Sequence, residues 1–208
     1  MTHTDTTLRS QLSPKELIRI ERVAKTAARL FDEAGYHETS LKDISTAADL
    51  SKGAIYYYFS SKHEILLYIV DSYMDLLLTG LEEELNKYED SIAKIKHMLS
   101  RHLSHFSSHA ASARILLKYA HNLPASDLAR IDLKQKRYAQ VLTDILADSA
   151  GPSLDKTKLK ACSYIVFGMY NSVIYWHQPD GALPLAELTE ICCELFLDGW
   201  KSFVAKHA

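Results

Sequence analysis

The stretch Thr39–Lys62, TSLKDISTAADLSKGAIYYYFSSK, decides how the chain is read, because its spacing describes two short helices joined by a tight turn. Ser40 is placed to cap a first helix carrying Leu41, Ile44, Ala47 and Ala48, and Ser51 a second running through Ile55, Tyr56 and Phe59. Small Ala47 and Ala48 let the helices cross closely, while Leu50 and Ile55 fill the angle between them, as a helix-turn-helix requires. The second helix of such a unit enters the major groove of DNA, and the flanking helix ends meet phosphate. Lys52 has the length and charge to reach a guanine edge, and Gly53 removes a side chain where helix and DNA approach most closely. Tyr56 and Tyr57 offer hydroxyls to phosphate. Lys62, opening the next helix, Thr39 and Ser40, opening the first, and Ser51 and Lys42 supply further backbone amides, hydroxyls and cations for the same strand.

Upstream, Pro14 serves as the first residue of a helix after Ser13, with a stripe of Ile20, Val23, Ala24, Ala27, Leu30 and Phe31 that ends at Gly35. This helix is the prop, and Leu30 and Phe31 are expected to pack under Ile44 and Ile55. Residues 1–13 are polar without helical period and read as a mobile arm, from which Arg9 can touch the minor groove.

Residues from about Glu16 to Val70 resemble the DNA-binding domain of TetR-family transcriptional regulators. The segment AARLFDEAGYHETSLKDISTAADLSKGAIYYYFSSKHEILLYIV carries that family's Phe, Gly-Tyr, Thr-Ser, Lys-Gly, aromatic triplet and Ser-Lys at matching intervals. Asp49 stands in the turn where many members have Gly, a position whose left-handed backbone Asp tolerates better than most residues. Tyr58 stands where His is common. A fold follows from the resemblance and the periodicity together: all-α, with residues 14–61 a three-helix DNA-binding domain and 62–208 a helical ligand-binding and dimerisation domain.

Downstream, one long helix is expected from Lys62 through Ile65, Leu66, Ile69, Tyr73, Leu76 and Leu77 towards Leu85. Further helices are expected at about 91–107, 112–122, 126–150, 154–177 and 184–206, separated at Leu123-Pro124, Gly151-Pro152 and Gln178-Pro179-Asp180-Gly181. The last two carry apolar residues on more than one face: Tyr164, Ile165, Phe167, Met169, Val173 and Trp176, then Leu188, Ile191, Cys192, Leu195, Phe196 and Phe203. The surplus suits a four-helix interface between two copies, and a twofold pair would present two reading helices to a double-stranded palindromic operator.

Where polar atoms interrupt these apolar helices, at Asn122, Tyr138, Tyr164, Asn171, Tyr175, Trp176 and His177, an effector pocket can find its orienting groups. The segment GMYNSVIYWHQPDGALPLAEL resembles the matching region of TetR-family members that answer to acyl-CoA thioesters in lipid or aromatic-acid catabolism. An apolar effector such as an acyl-CoA is therefore the first expectation. A cationic or aromatic drug governing an efflux pump is the second, and an architectural DNA-binding protein without an inducer a third.

The chain has 208 residues, 47% of them apolar, and a formal net charge of −2. That balance argues against a nonspecific nucleic-acid binder, so DNA contact must rest on local placement of cations. With no signal-peptide pattern, no long apolar run and cysteines only at 162, 192 and 193, a cytoplasmic protein with free thiols and no membrane partner is expected. His97, His102, His105 and His109 raise a metal-binding alternative, since the last three fall on one helical face. No HExxH, Gly-rich phosphate loop or GxSxG occurs, and neither an enzyme, a cofactor nor a resident metal is expected.

Overall fold

The computed structural model describes residues 12–207, and among them all regular structure is helical. The elements are α1 (Pro14–Ala34), α2 (Leu41–Ala47), α3 (Lys52–Tyr58), α4 (Lys62–Leu78), α5 (Leu81–Leu85), α6 (Ser91–Ser108), α7 (Ala110–Tyr119), α8 (Ala125–Ala150), α9 (Lys156–Trp176) and α10 (Leu185–His207). Single 3-10 turns at Ala120–Asn122 and Gly151–Ser153 flank α8. The greater part of the expected arm, Arg9 included, lies outside the described residues.

By Cα packing the chain forms two compact units. One takes in residues up to Met74 together with Ala111–Asp132, the other Asp75–Ala110 together with residues from Leu133 onward. In the first, α1 packs on α2 and α2 on α3. Phe31, Ile44 and Ile55, each fully buried, lie at the centre of the triangle, and Val23, Ala27 and Phe59 extend it. Caps fix the ends. Ser13 and Glu16 form one capping box and Ser40 and Asp43 another, while the Ser51 hydroxyl accepts from the Ala54 amide. Asp49 adopts φ +51° in the turn, the left-handed conformation that the resemblance implied there and that Asp tolerates.

In the second unit α6 is central, packed against α5, α9 and α10. Ile95, Met98, Leu99 and Leu103 are its buried stripe. The single helix expected from Lys62 to Leu85 is interrupted. Gly80 takes φ +72° and starts a separate α5, because a residue without Cβ enters the left-handed region at no steric cost. Arg101 closes the broken end of α4: its guanidinium donates to the carbonyls of Leu76 (3.2 Å), Leu77 (2.6 Å) and Thr79 (2.8 Å). Glu84 pairs with the same guanidinium at 3.1 Å and with His97 at 2.8 Å, and the His97 contact is the chief reason its carboxyl sits below the usual carboxylate range.

Candidate DNA interface and effector core

Helix α3 is held from one side only. Ile55 and Tyr58 are buried while Ser51, Lys52, Gly53, Tyr56 and Tyr57 are exposed, so the lysine and two tyrosines expected to face DNA stand at the surface. The Lys52 ammonium lies 5.6 Å from the centre of the Tyr56 ring, close enough for a cation–π attraction that groups the two side chains. Tyr57 donates its hydroxyl to Glu16 on α1 at 3.3 Å; the Glu16 charge is the main cause of its raised pKa. A Cβ added at Gly53 would meet only Ser51 Oγ, at 3.9 Å, so nothing inside the chain demands glycine there. Ser40 and Lys42 are exposed at the start of α2, where Ser40 also gives its amide and hydroxyl to Asp43 at 2.8 and 2.6 Å.

Two members of the expected DNA-facing set have other work. Thr39 is buried, and its hydroxyl donates to the carbonyls of Gly35 at 2.8 Å and Leu30 at 3.3 Å, which makes it a brace of the loop after α1. Lys62 sends its ammonium to the carbonyls of Tyr36 (2.6 Å), Thr39 (2.9 Å) and His37 (3.3 Å), 4.5 Å from the centre of the Tyr36 ring. Its three N–H donors are therefore spent on the 36–39 loop, and burial holds its pKa below the ordinary lysine value. In the chain without DNA, Lys62, expected on phosphate, thus positions the loop that enters α2.

In the second unit the structure brings together two of the expected effector residues through a third that sequence reasoning had placed elsewhere. His102 is buried on α6, with Nε2 3.2 Å from Asn171 Oδ1 and Nδ1 3.2 Å from the Tyr138 hydroxyl. Because Asn171 Oδ1 only accepts, Nε2 carries the proton and Nδ1 accepts from Tyr138. Phe106 and Phe167 pack on the imidazole at centroid distances of 4.4 and 5.3 Å. Burial pushes His102 down to about 4 and the Tyr138 phenol well above its usual value, so both are uncharged at neutral pH. The cluster has polar atoms, aromatic walls and no ionised member.

The other expected effector residues lie outside this cluster. Tyr164, Tyr175 and Trp176 are 49%, 58% and 55% exposed, on an outer surface of α9 that also shows Ile165 and Met169. His177 bonds the Leu183 carbonyl at 2.9 Å and shapes the α9–α10 turn. Asn122 belongs to the first unit, where its amide nitrogen donates to the Tyr119 carbonyl at 3.2 Å. Polarity within an apolar helix marks such positions without telling an inner face from an outer one. The histidine alternative also loses its geometry, since both His102 nitrogens are bonded to protein, and no group of three or more His, Cys, Asp or Glu among the described residues is placed to hold a metal ion.

An exposed cationic and aromatic helix face on a three-helix head, joined to a separate helical core, defines a helix-turn-helix transcriptional regulator. Residues 24–69 match the family described as "Bacterial regulatory proteins, tetR family", and residues 88–200 match "Tetracyclin repressor-like, C-terminal domain". The chain belongs to the tetR family, a family of ligand-responsive transcriptional regulators and not of enzymes. Among its relatives is the fatty acid metabolism regulator protein of Bacillus subtilis, 24% identical over 184 residues that cover 86% of this chain and 93% of that one. A TetR-family regulator from Bordetella parapertussis superimposes with TM-score 0.81 at 26% identity, covering 90% of this chain and 96% of the other. AibR, in a crystal structure with isovaleryl coenzyme A and operator DNA, superimposes with TM-score 0.76 at 21% identity, covering 85% and 97%. Among the described residues no helix is long and apolar enough to cross a membrane.

Proposed function

We propose that this protein is a cytoplasmic homodimeric repressor that reads a palindromic operator with α3 and releases it on binding an acyl-CoA, whose apolar acyl chain enters the interior of its second unit. The observation that carries the DNA half is the outward face of α3. Lys52 and Tyr56 stand exposed beside a glycine that the chain itself does not need. Lys52 then reads a base edge, with Tyr56, Tyr57, Ser40, Ser51 and Lys42 on sugar and phosphate. Dimerisation is supported by the exposed apolar stripe of Ile165, Met169 and Trp176 on α9 and by Ile191 and Leu195 on α10, which one copy leaves uncovered.

The effector half is supported by the neutral surroundings of the His102–Tyr138–Asn171 cluster: with its members uncharged and aromatic rings packed around it, the core there accommodates an apolar acyl chain at lower cost than a free carboxylate or a cation. The fatty acid regulator of Bacillus subtilis and the isovaleryl-CoA complex of AibR point to the same chemistry. Binding favours a state of the dimer in which the two reading heads no longer match successive major grooves. A thermal-shift series with isovaleryl-CoA, palmitoyl-CoA, palmitic acid and a quaternary-ammonium dye tests this reading. The CoA esters are expected to stabilise the folded chain and so raise the melting temperature, with a stabilisation of about 2.7 kcal/mol where free ligand stands at a hundred times Kd. A rise with the dye alone would move the protein to the drug-sensing class.

A further inference from the structure

A carboxylate of α1 reaches the reading helix within the same compact unit. Glu16 stands in the first turn of α1, where its Oε2 accepts from the Ser13 amide at 2.8 Å and from the Ser13 hydroxyl at 2.7 Å, closing the capping box. Its other oxygen, Oε1, accepts the hydroxyl of Tyr57 at 3.3 Å, 41 positions further along the chain. Tyr57 lies on the outward side of α3 and is 59% exposed, with its ring edge-on to the buried ring of Tyr58, centroids 4.9 Å apart. Tyr58 thus holds the ring of Tyr57, and Glu16 holds its hydroxyl. A phenol has one proton to donate, and here it goes to a carboxylate, while the oxygen keeps its acceptor capacity. Phosphate oxygens accept and do not donate, and the Glu16 charge repels them, so Tyr57 suits a DNA backbone poorly while Glu16 holds it. The major groove offers the complementary chemistry: the exocyclic amino groups of cytosine and adenine donate, whereas the carbonyl oxygens of guanine and thymine accept.

We propose that Glu16 is a positioning residue for sequence reading: by holding the Tyr57 proton it makes the phenol oxygen an acceptor for an exocyclic amino group of cytosine or adenine in the operator. The proposal rests on the DNA-reading function given above and moves Tyr57 within it, from the backbone to a base edge. A base that presents a carbonyl oxygen at this place faces an acceptor with a negative charge behind it. One that presents an amino group meets an acceptor strengthened by that same charge. Discrimination then comes from repulsion of the wrong base as much as from attraction of the right one.

The experiment selects duplexes from a random-sequence library with the full chain as wild type, Glu16→Ala, Glu16→Gln, Tyr57→Phe and Ser13→Ala, and then measures binding to the wild-type duplex and to copies changed at single base pairs. The wild type is expected to show, in each half-site, a position restricted to cytosine or adenine, where exchange for thymine or guanine weakens binding by about fivefold or more. Glu16→Ala, which returns the proton to the hydroxyl, and Tyr57→Phe, which removes the oxygen, are expected to lose that restriction. Glu16→Gln, whose amide oxygen still accepts the hydroxyl, keeps part of it. Ser13→Ala breaks the cap but leaves the Glu16–Tyr57 bond, so it is expected to lower the melting temperature with the restriction intact. Where Glu16→Ala melts too early to be measured, Tyr57→Phe, which leaves α1 untouched, gives the same reading. A restriction in Glu16→Ala or Tyr57→Phe equal to that of the wild type overturns the proposal and leaves DNA reading by α3 standing. Loss of the restriction in Ser13→Ala as complete as in Glu16→Ala would make Glu16 a helix cap only, which overturns it equally. Failure of the wild type to select any duplex instead sinks the DNA-reading function itself, and this inference with it.

Discussion

Gly53 sits in the first turn of α3 where alanine would fit, and a glycine inside a helix costs about 0.5–1 kcal/mol relative to alanine. Gly53→Ala is therefore expected to raise stability by that amount in urea denaturation while weakening operator binding, since the new methyl meets DNA. Gain in stability with unchanged DNA affinity would show that the helix does not approach a duplex at this point. His102 makes a second prediction at this scale. Burial, opposed in part by the Asn171 hydrogen bond, sets its folded pKa at about 4, below the 6.5 of the free group. The unfolded chain then takes up the proton more readily, so the contribution is complete above about pH 6.5 and is lost as pH falls towards about 4. At about pH 5 the loss is on the order of 2 kcal/mol, and His102→Gln should remove that part of the acid sensitivity. Equal pH dependence in wild type and variant would mean that His102 is already protonated or exposed.

At the level of elements, what could be read in advance was what is written locally. Ser13, Ser40 and Ser51 announced their caps, because each acts on backbone within a few residues, and the left-handed turn at Asp49 was implied by the family resemblance. The break between α4 and α5 was carried by Gly80 alone within an apolar run, a signal that periodicity overrode. What closes that break comes from Arg101, more than twenty positions along the chain, and no local pattern announces it. Arg101→Ala leaves the Leu76, Leu77 and Thr79 carbonyls and Glu84 without their guanidinium, for an expected loss of about 1.5–3 kcal/mol by urea denaturation. A loss under about 0.5 kcal/mol would mean that water replaces it without penalty. The expected packing of α1 under α2 and α3 gives a further prediction: Phe31 is fully buried, and Phe31→Ala should cost about 3–5 kcal/mol and weaken DNA binding by loosening the head.

On the scale of the whole molecule, the family and the all-helical architecture were legible, while the buried polar cluster of the second unit was legible only in part. Tyr138 and Asn171 meet at His102, but a helical stripe cannot say which of its neighbours it will face, and so Tyr164, Tyr175 and Trp176 fell to the outer surface instead. In the proposed dimer the exposed apolar faces of α9 and α10 meet a second copy, so Leu195→Glu, at a position 68% exposed on α10, should weaken association by about 2 kcal/mol or more, seen as a shift to monomer in sedimentation and a matching fall in operator affinity. An unaltered dimer would place the interface elsewhere.

The account rests on α3 presenting Lys52 to base edges, and the most direct test is to select duplexes from a random library with wild type and with Lys52→Ala. The wild type should return a palindrome, and Lys52→Ala should fold equally well yet relax preference at one position in each half-site, by about 1–3 kcal/mol. An identical selected sequence from the variant, or uniform weakening on every duplex, would contradict base reading by Lys52.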